Sequence, residues 1–214
     1  MIILTVVFSL LLHVGIPNFP AWLVIGLLIW RFFSIGTSQG LVAIIANPSL
    51  VSKVYMPREV IVLSNSLANL LGAMLEFVAL LPLLVLLGVS LTSYVLFLPL
   101  ILISEFLLIF GLSLSLSALN VRYRDFYQLW EIALQLGFFL SPIFYDVSLI
   151  PPRFRSLYSM NPVTSLIEST RSIFLLHQLP SLSDCVTIVV SVVVFVLIGF
   201  IVFRRLERRF AEEL

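Results

Sequence analysis

Long apolar runs separated by short polar or proline-rich connections dominate this sequence. A helix needs about 20 mostly apolar residues to cross a bilayer. The pattern therefore predicts an all-α integral membrane protein, with one transmembrane domain over residues 1–214. We expect six transmembrane helices, at about residues 1–15, 21–46, 60–87, 93–119, 127–145 and 185–203.

The first apolar run begins at Met1, with no polar or basic segment before it. Pro17 and Pro20 end the run soon after Gly15, which makes it short for a full span at about 1.5 Å per residue. It also lacks the basic start and the small-residue cleavage site of a secretory signal. We therefore expect that the N-terminus is shortened or starts at the wrong position.

Two connections are long enough to form structure of their own. Residues 47–65 contain the only lysine, Lys53, and predict a short polar helix at about residues 47–58 that lies across the ends of two spans. Residues 146–184 are less apolar and are interrupted by four prolines, at positions 151, 152, 162 and 180. That pattern favours short interfacial or re-entrant helices over a span.

Composition and charge narrow the class of protein. The chain is 61% hydrophobic and 11% charged, whereas soluble domains are about 25% charged. A net charge of +1 argues against a nucleic-acid partner, since phosphate binding needs a concentrated basic surface. A single cysteine, Cys185, excludes a disulfide within the chain.

The distribution of basic residues predicts the orientation, because lysine and arginine stay preferentially in the cytoplasm. Eight of them fall on one side, at positions 53, 58, 122, 124, 204, 205, 208 and 209. The other side has three, Arg153, Arg155 and Arg171. We therefore place both termini and the 47–65 connection in the cytoplasm, and residues 146–184 outside.

Sequence motifs for catalysis and nucleotide binding are absent. No histidine pair has metalloprotease spacing, no serine lies in GxSxG, and no GxxxxGK[ST] loop is present. We therefore expect no enzyme activity and no cofactor on this chain. Any ATP-driven function requires ATP and magnesium on another subunit.

Three charged residues fall inside predicted spans: Arg31, Glu76 and Glu105. A charge there costs several kcal/mol unless it is paired or hydrated. Each is therefore either a functional residue or part of a structural pair between helices. Glu131 also falls within a predicted span, but near the cytoplasmic end of the fifth, and is expected to be solvated.

Small residues within the spans predict close helix packing. Gly36 and Gly40 have the small-xxx-small spacing that lets a second helix approach. Ser113, Ser115 and Ser117 alternate by two and so do not share one helix face. For both groups we favour packing over a role in lining a pore.

Clusters of aromatic residues admit two interpretations. Rings at the membrane boundary usually form an aromatic belt. Alternatively they form a sugar-contacting surface, because ring faces present rigid apolar area beside polar groups. The candidate residues for such a glycan path are Trp30, Arg31, Phe32, Phe33, Phe138, Phe139 and Tyr145.

Six pieces of the chain, in this order and at these spacings, resemble the permease subunits of type-2 ABC transporters that export O-antigen, capsule and teichoic-acid chains. They are residues Trp30–Phe33, Asn47–Glu59, Leu119–Asp125, Phe138–Tyr145, Asn161–Pro162 and Phe203–Glu207. The resemblance covers nearly the whole chain. It departs from the family at the N-terminus, where the family has an interfacial amphipathic helix before the first span.

The resemblance implies a homodimeric six-span permease in the cytoplasmic (inner) membrane, with an ABC ATPase as partner and a lipid-linked polysaccharide as substrate. It also implies that re-entrant helices in residues 146–180 close the exit. The segment from Leu50 to Arg58 would be the coupling helix that docks into the ATPase. Its expected contact residues are Leu50, Val51, Lys53, Val54, Tyr55, Pro57, Arg58 and Glu59.

Other functions remain open at this point. The chain could belong to an ABC exporter of a drug or small lipid, although the aromatic stretch and the Asn47–Glu59 pattern favour glycans. It could instead be a membrane transferase acting on lipid-linked sugars, which would need a catalytic cluster that the sequence does not show. A scaffold without transport activity is a third alternative. For Lys53 and Arg58, the alternative to coupling is that they simply contact lipid phosphates.

Overall fold

We analysed a computed structural model of the protein, which describes residues 18–53, 56–123, 125–147, 150–207 and 210. At positions 51–53, 152, 156 and 157 only the backbone is described. The predicted first span, residues 1–15, lies outside the described residues, as do Val54, Tyr55 and Arg124.

Helices make up all the regular structure of the part of the chain that is described, which confirms the all-α prediction. The described residues form eight α-helices: α1 (Phe19–Val42), α2 (Pro48–Lys53), α3 (Glu59–Leu86), α4 (Leu98–Arg122), α5 (Phe126–Leu140), α6 (Pro152–Ser159), α7 (Pro162–Arg171) and α8 (Leu182–Leu206). A 3₁₀ turn, Ser93–Phe97, precedes α4, and a π-helical turn, Ser172–Leu176, follows α7.

Four of these segments are long and apolar enough to cross a membrane: α1, α3, α8 and the continuous stretch Ser93–Arg122. Their bounds agree with four of the predicted spans to within a few residues. They differ in environment, since 61% of the apolar window of α1 is buried but only 17% of that of α8. The exposed face of α8 carries valines and leucines. Such a face is suited to contact with lipid or with another subunit.

The helix within the predicted fifth span ends before the C-terminal bound that we predicted for the span. We expected it to run to Tyr145, but α5 ends at Leu140 after 15 residues. A helix of that length is about 22 Å long, shorter than the roughly 30 Å hydrocarbon core. Pro142 explains the stop, because proline has no N–H and disfavours helical backbone in the residue before it.

The proline-rich region 146–184 folds into short helices, and prolines start both of them. Pro152 is the first residue of α6, and Pro162 is the first residue of α7. Asn161 caps α7, because its side chain accepts a hydrogen bond from the backbone N–H of Val163 at 3.1 Å. Proline suits the first helical position, where its missing N–H would have no partner anyway.

Two compact units contain the described residues. The first consists of residues 18–30, Ala73–Leu102 and Phe138–Ile188, and the second of Arg31–Gly72, Ile103–Gly137 and residues 189–207 with 210. Each unit has its own core. The first contains the end of α5 with α6 and α7, and the second contains the 47–58 connection and the end of α8.

Glycines bring helices together in the second unit, which confirms the packing interpretation. A Cβ on Gly40 would overlap Ser113 Oγ, and one on Gly36 would lie 2.8 Å from Ile109 Cγ2. Both contacts join α1 to α4. On α4, Ser113 and Ser117 are fully buried, so these hydroxyls pack between helices.

Candidate functional site

The connection between α1 and α3 contains the predicted coupling residues. Helix α2 covers Pro48–Lys53, shorter than the predicted 47–58. Leu50 lies on it with 40% of its surface exposed, and Pro57 is also exposed. The backbone of Val51 and Lys53 belongs to α2. An apolar residue and a proline are therefore open to contact with a partner.

Arg58 and Glu59, at the end of this connection, contact the C-terminal part of the same chain. Arg58 Nη1 donates a hydrogen bond to the backbone carbonyl of Glu207. Its guanidinium carbon lies 5.8 Å from the centre of the Phe210 ring. The Glu59 carboxylate is 4.0 Å from Arg204 Nε. Sequence reasoning missed this arrangement, because the partners are about 150 residues away along the chain.

An apolar cluster supports these contacts in the second unit. Phe203 and Phe210 are 0% and 1% exposed, and their rings meet edge to face at 5.5 Å between centroids. Edge-to-face geometry is the favoured one for aromatic pairs. The cluster also contains Ala43, Ile44, Ile61, Val62, Phe110, Leu114, Ala118 and Val121. It therefore joins the ends of α1, α3, α4 and α8.

Polar contacts between α1 and α5 also lie in the second unit. Trp130 Nε1 donates to Thr37 Oγ1 at 3.2 Å, and Ser38 Oγ donates to Glu131 Oε1 at 3.0 Å. The expectation that Glu131 is simply solvated is therefore wrong, since the carboxylate is half-buried and accepts a hydrogen bond from α1.

The three intramembrane charges have different environments. Glu105 on α4 is fully buried, and neither carboxylate oxygen has a hydrogen-bond partner among the described residues. Glu76 is half-buried and Arg31 is exposed. Burial of an ionised carboxylate without a partner is very costly, so Glu105 is the unusual residue of the three.

Arg171, which we had counted among the outer loop charges, is fully buried in the first unit. Nη1 donates to the carbonyl of Pro142 at 2.7 Å and to Glu168 Oε1 at 2.9 Å. Nη2 lies 3.1 Å from the carbonyl of Ile143 and 3.4 Å from that of Trp22. We call this group of contacts the Arg171 cage.

Local sequence explains why the cage can form. The stop of α5 before Pro142 frees the carbonyls of Pro142 and Ile143 from helix hydrogen bonds. Gly26 on α1 leaves room, because a Cβ there would lie 2.9 Å from Arg171 Nη2. The guanidinium carbon sits 3.8 Å from the Trp22 ring centre, a cation–π contact.

Burial sets the ionisation of the Arg171 and Glu168 pair. Loss of water lowers the pKa of Arg171 to about 10, an effect that the carboxylate of Glu168 opposes. Burial also raises the pKa of Glu168 above its usual value, although the guanidinium works in the other direction. Arg171 therefore keeps its charge at neutral pH, and the cage encloses a buried cation.

The predicted glycan-path rings divide into buried and accessible ones. Trp30, Phe32 and Phe33 are each less than 10% exposed, whereas Phe139 is 70% exposed. In the first unit the Phe138 ring contacts those of Trp30, Phe139 and Phe144, at 5.2 to 5.8 Å between centroids. Phe139 and Tyr145 are thus the rings of this set best able to meet a substrate.

Tyr145 lines a cleft of about 720 Å³ in the first unit, with its hydroxyl 3.2 Å from that of Tyr158. The other lining residues are Leu140, Ile150, Pro151, Phe154 and Asn161. The Tyr145 hydroxyl also donates to the backbone carbonyl of Phe139 at 3.1 Å, so the cleft combines aromatic rings with hydroxyl groups.

Comparison with known proteins decides the family. A sequence model described as "ABC-2 type transporter" matches residues 1–175. The chain belongs to the ABC-2 type transporter family. It is 30% identical over 207 residues to an O-antigen export system permease protein RfbA of Klebsiella pneumoniae, an alignment that covers 96% of this chain and 80% of the relative. It is 31% identical to the RfbA permease of Myxococcus xanthus, covering 100% of this chain and 83% of that one.

Membership of the ABC-2 type transporter family has two consequences for the chain. It is a membrane protein and a transport subunit rather than an enzyme, with ATP hydrolysis on a separate subunit.

Proposed function

We propose that the chain is the membrane-spanning subunit of an ATP-driven exporter that moves a lipid-linked polysaccharide across the inner membrane. The observation that carries the proposal is the similarity to O-antigen export permeases over 96 to 100% of the chain. The apolar helices suit a membrane domain, and the sequence has no nucleotide-binding loop of its own. ATP and magnesium would bind the partner subunit.

The proposed architecture has six spans, with both termini in the cytoplasm. Four helices have the length and composition of spans, and residues 1–15 and α5 with the residues that follow it would supply the other two. Helices α6 and α7 would be the outward re-entrant pair. We further propose that residues 1–214 form a single domain and that two copies assemble as a homodimer in the lipid bilayer.

Coupling to the ATPase is assigned to residues 50–59. Leu50 and Pro57 are exposed in this stretch, which favours them as direct contacts with the partner, and Val51, Lys53, Val54 and Tyr55 lie between them. Arg58 and Glu59 face their own C-terminal segment. Movement of this short segment would carry the effect of ATP binding into the membrane domain.

The proposed glycan path uses the aromatic residues of the first unit. Exposed Phe139 and half-buried Tyr145 offer ring faces and a hydroxyl to a sugar, while Phe138 packs between Trp30 and Phe139. Rings present a rigid apolar surface, and the tyrosine hydroxyl adds a polar group, so such a path would contact successive units of a polymer mainly through ring faces.

Deletion of the gene, followed by analysis of lipid-linked glycans and of the cell surface, tests the proposed function. We expect the lipid-linked polymer to accumulate in the cytoplasm while the surface polymer is lost. Complementation with the intact chain should restore the surface polymer. An unchanged surface polymer in the deletion strain would refute export.

A further inference from the structure

We infer that Arg58 and Phe210 fasten the connection between α1 and α3 to the end of α8, so that the connection and α8 move as one body. Arg58, Phe203 and Phe210 are named here as the C-terminal latch. The inference rests on the proposed function, and it assigns to these residues a positioning role in the coupling of ATP hydrolysis to export.

The first support is the position of Arg58 relative to α8. The last carbonyls of a helix have no partner within it, and the C-terminal end of the helix carries partial negative charge. Helix α8 ends at Leu206, and Arg58 donates to the carbonyl of Glu207 directly after it. A hydrogen bond from a guanidinium is stronger than one between neutral groups. Arg58 therefore caps α8 from a different part of the chain.

The second support is the ring of Phe210. This side chain, beyond the end of α8, is almost completely buried, at 1% exposure. One side of the ring meets Phe203 of α8 and another lies beneath the Arg58 guanidinium. Ile61 and Val62, just after the connection, belong to the same cluster. Close-packed rings of this kind transmit displacement because the interior has little free volume.

The third support is the division of exposure along the connection. Leu50 and Pro57 are exposed, whereas Arg58 and Glu59 are half-buried against the C-terminal segment. A push received at Leu50 would thus reach α8 through Arg58 within a few residues. Glu59 and Arg204, at 4.0 Å, add a weaker contact of the same kind.

Substitutions can distinguish a role of the latch in coupling from an effect on the stability of the fold alone. Phe210→Leu keeps an apolar side chain but removes the ring face under Arg58, and Phe210→Tyr keeps the face. Arg58→Lys keeps the charge without the planar fork. Leu197→Ala is the matched control, because Leu197 lies on α8 with 58% of its surface exposed and outside the cluster.

Coupling is measured on the full complex with its ATPase subunit, as ATP hydrolysed per polysaccharide chain exported. We expect Phe210→Leu and Arg58→Lys to raise this ratio about fivefold or more. Typical coupling free energies between two sites correspond to changes of about fivefold and above. Phe210→Tyr and Leu197→Ala should stay near the unaltered complex. An unchanged ratio in both Arg58→Lys and Phe210→Leu overturns the proposal, and the Arg58 variant decides alone if the other does not fold.

A second measurement does not depend on the cargo. Cys185 is first replaced by serine, so that it takes no label. Spin labels at Ser49→Cys on α2 and Arg205→Cys on α8 then report the distance between the two elements in the complex with the ATPase subunit. Labelled chain is diluted into unlabelled chain so that pairs within one chain dominate. We expect the distance to stay the same when a non-hydrolysable ATP analogue is added, and to broaden or shift with the analogue in Phe210→Leu.

The two measurements fail in different ways. A constant distance in a complex that exports no polysaccharide would leave the latch standing and refute the proposed function. A distance that changes with the ATP analogue in the chain with an intact latch would refute the latch, whatever the cargo is.

Discussion

Arg171 in the first unit and Glu105 in the second are both ionisable and buried, but their side chains differ in the partners that surround them. Both side chains are fully buried. Arg171 has acceptors at both Nη atoms and a tryptophan ring against its face, and only its Nε lacks a hydrogen bond among the described residues. Neither Glu105 oxygen has a hydrogen-bond partner in the same part of the chain.

The difference separates a structural residue from a candidate functional one. A buried charge with its partners in place holds the elements that supply those partners, here α1, α7 and the residues after α5. A buried carboxyl without partners holds no elements together in this way. Its presence in a span is therefore better explained by a role in function. Four predictions test this contrast.

The largest effect is expected for Arg171→Met, which keeps much of the volume and removes the charge. The carbonyls of Pro142 and Ile143 and the carboxylate of Glu168 would lose their donor. Breaking a buried ionic group in this way costs about 3–5 kcal/mol. Thermal unfolding of the purified protein in detergent should show it, with exposed Arg153→Met as the control. A melting temperature equal to that of the control would contradict the structural role.

Gly26→Ala should be the next most damaging change. The new Cβ would lie 2.9 Å from Arg171 Nη2, and the caged guanidinium can move away only by breaking its hydrogen bonds. Such overpacking typically costs about 1–3 kcal/mol. Gly72→Ala is the matched control, since nothing lies within 4 Å of a Cβ there. Equal melting temperatures for the two alanine variants would show that the cage has room to spare.

Glu105→Gln should change stability little, within about 1 kcal/mol, because no partner among the described residues loses a hydrogen bond. Export by the same variant is the informative readout. If the variant folds as well as the unaltered chain but exports less polysaccharide, Glu105 has a functional role. A loss of stability as large as that of Arg171→Met would erase the contrast between the two sites.

The smallest effect concerns pH and Glu168. Because burial raises the pKa of Glu168 in the folded protein, the folded state binds a proton more readily than the unfolded state. The stability contributed by protonation is present below the unfolded pKa and is lost as pH rises through the folded pKa. The melting temperature of the unaltered chain, relative to Glu168→Gln, should therefore fall as the pH rises above about 4.3, the usual pKa of glutamate. A difference that rises with pH would contradict this sign.

Local sequence was sufficient to predict where most of the helices lie. Apolar runs predicted α1, α3, α4 and α8, and prolines marked the breaks in residues 146–184, because both signals act over a few residues. The early end of α5 was also predictable from Pro142, but the apolar residues after it suggested a longer span.

Tertiary contacts were not predictable in the same way. Arg171 and Arg58 were counted as loop charges because their backbone acceptors lie 28 to 149 residues away. The one local signal for the cage was Glu168, three residues before Arg171 on the same helix face. Phe210 gave no signal, since a single aromatic residue in a charged tail is usually exposed.

Transport in sealed inverted vesicles tests the central claim most directly. The vesicles would contain this chain, its ATPase subunit and a lipid-linked polysaccharide added on the cytoplasmic face. The account predicts that the polymer becomes protected inside the vesicles only when ATP and both subunits are present. Protection without ATP, or none under any of these conditions, would contradict it.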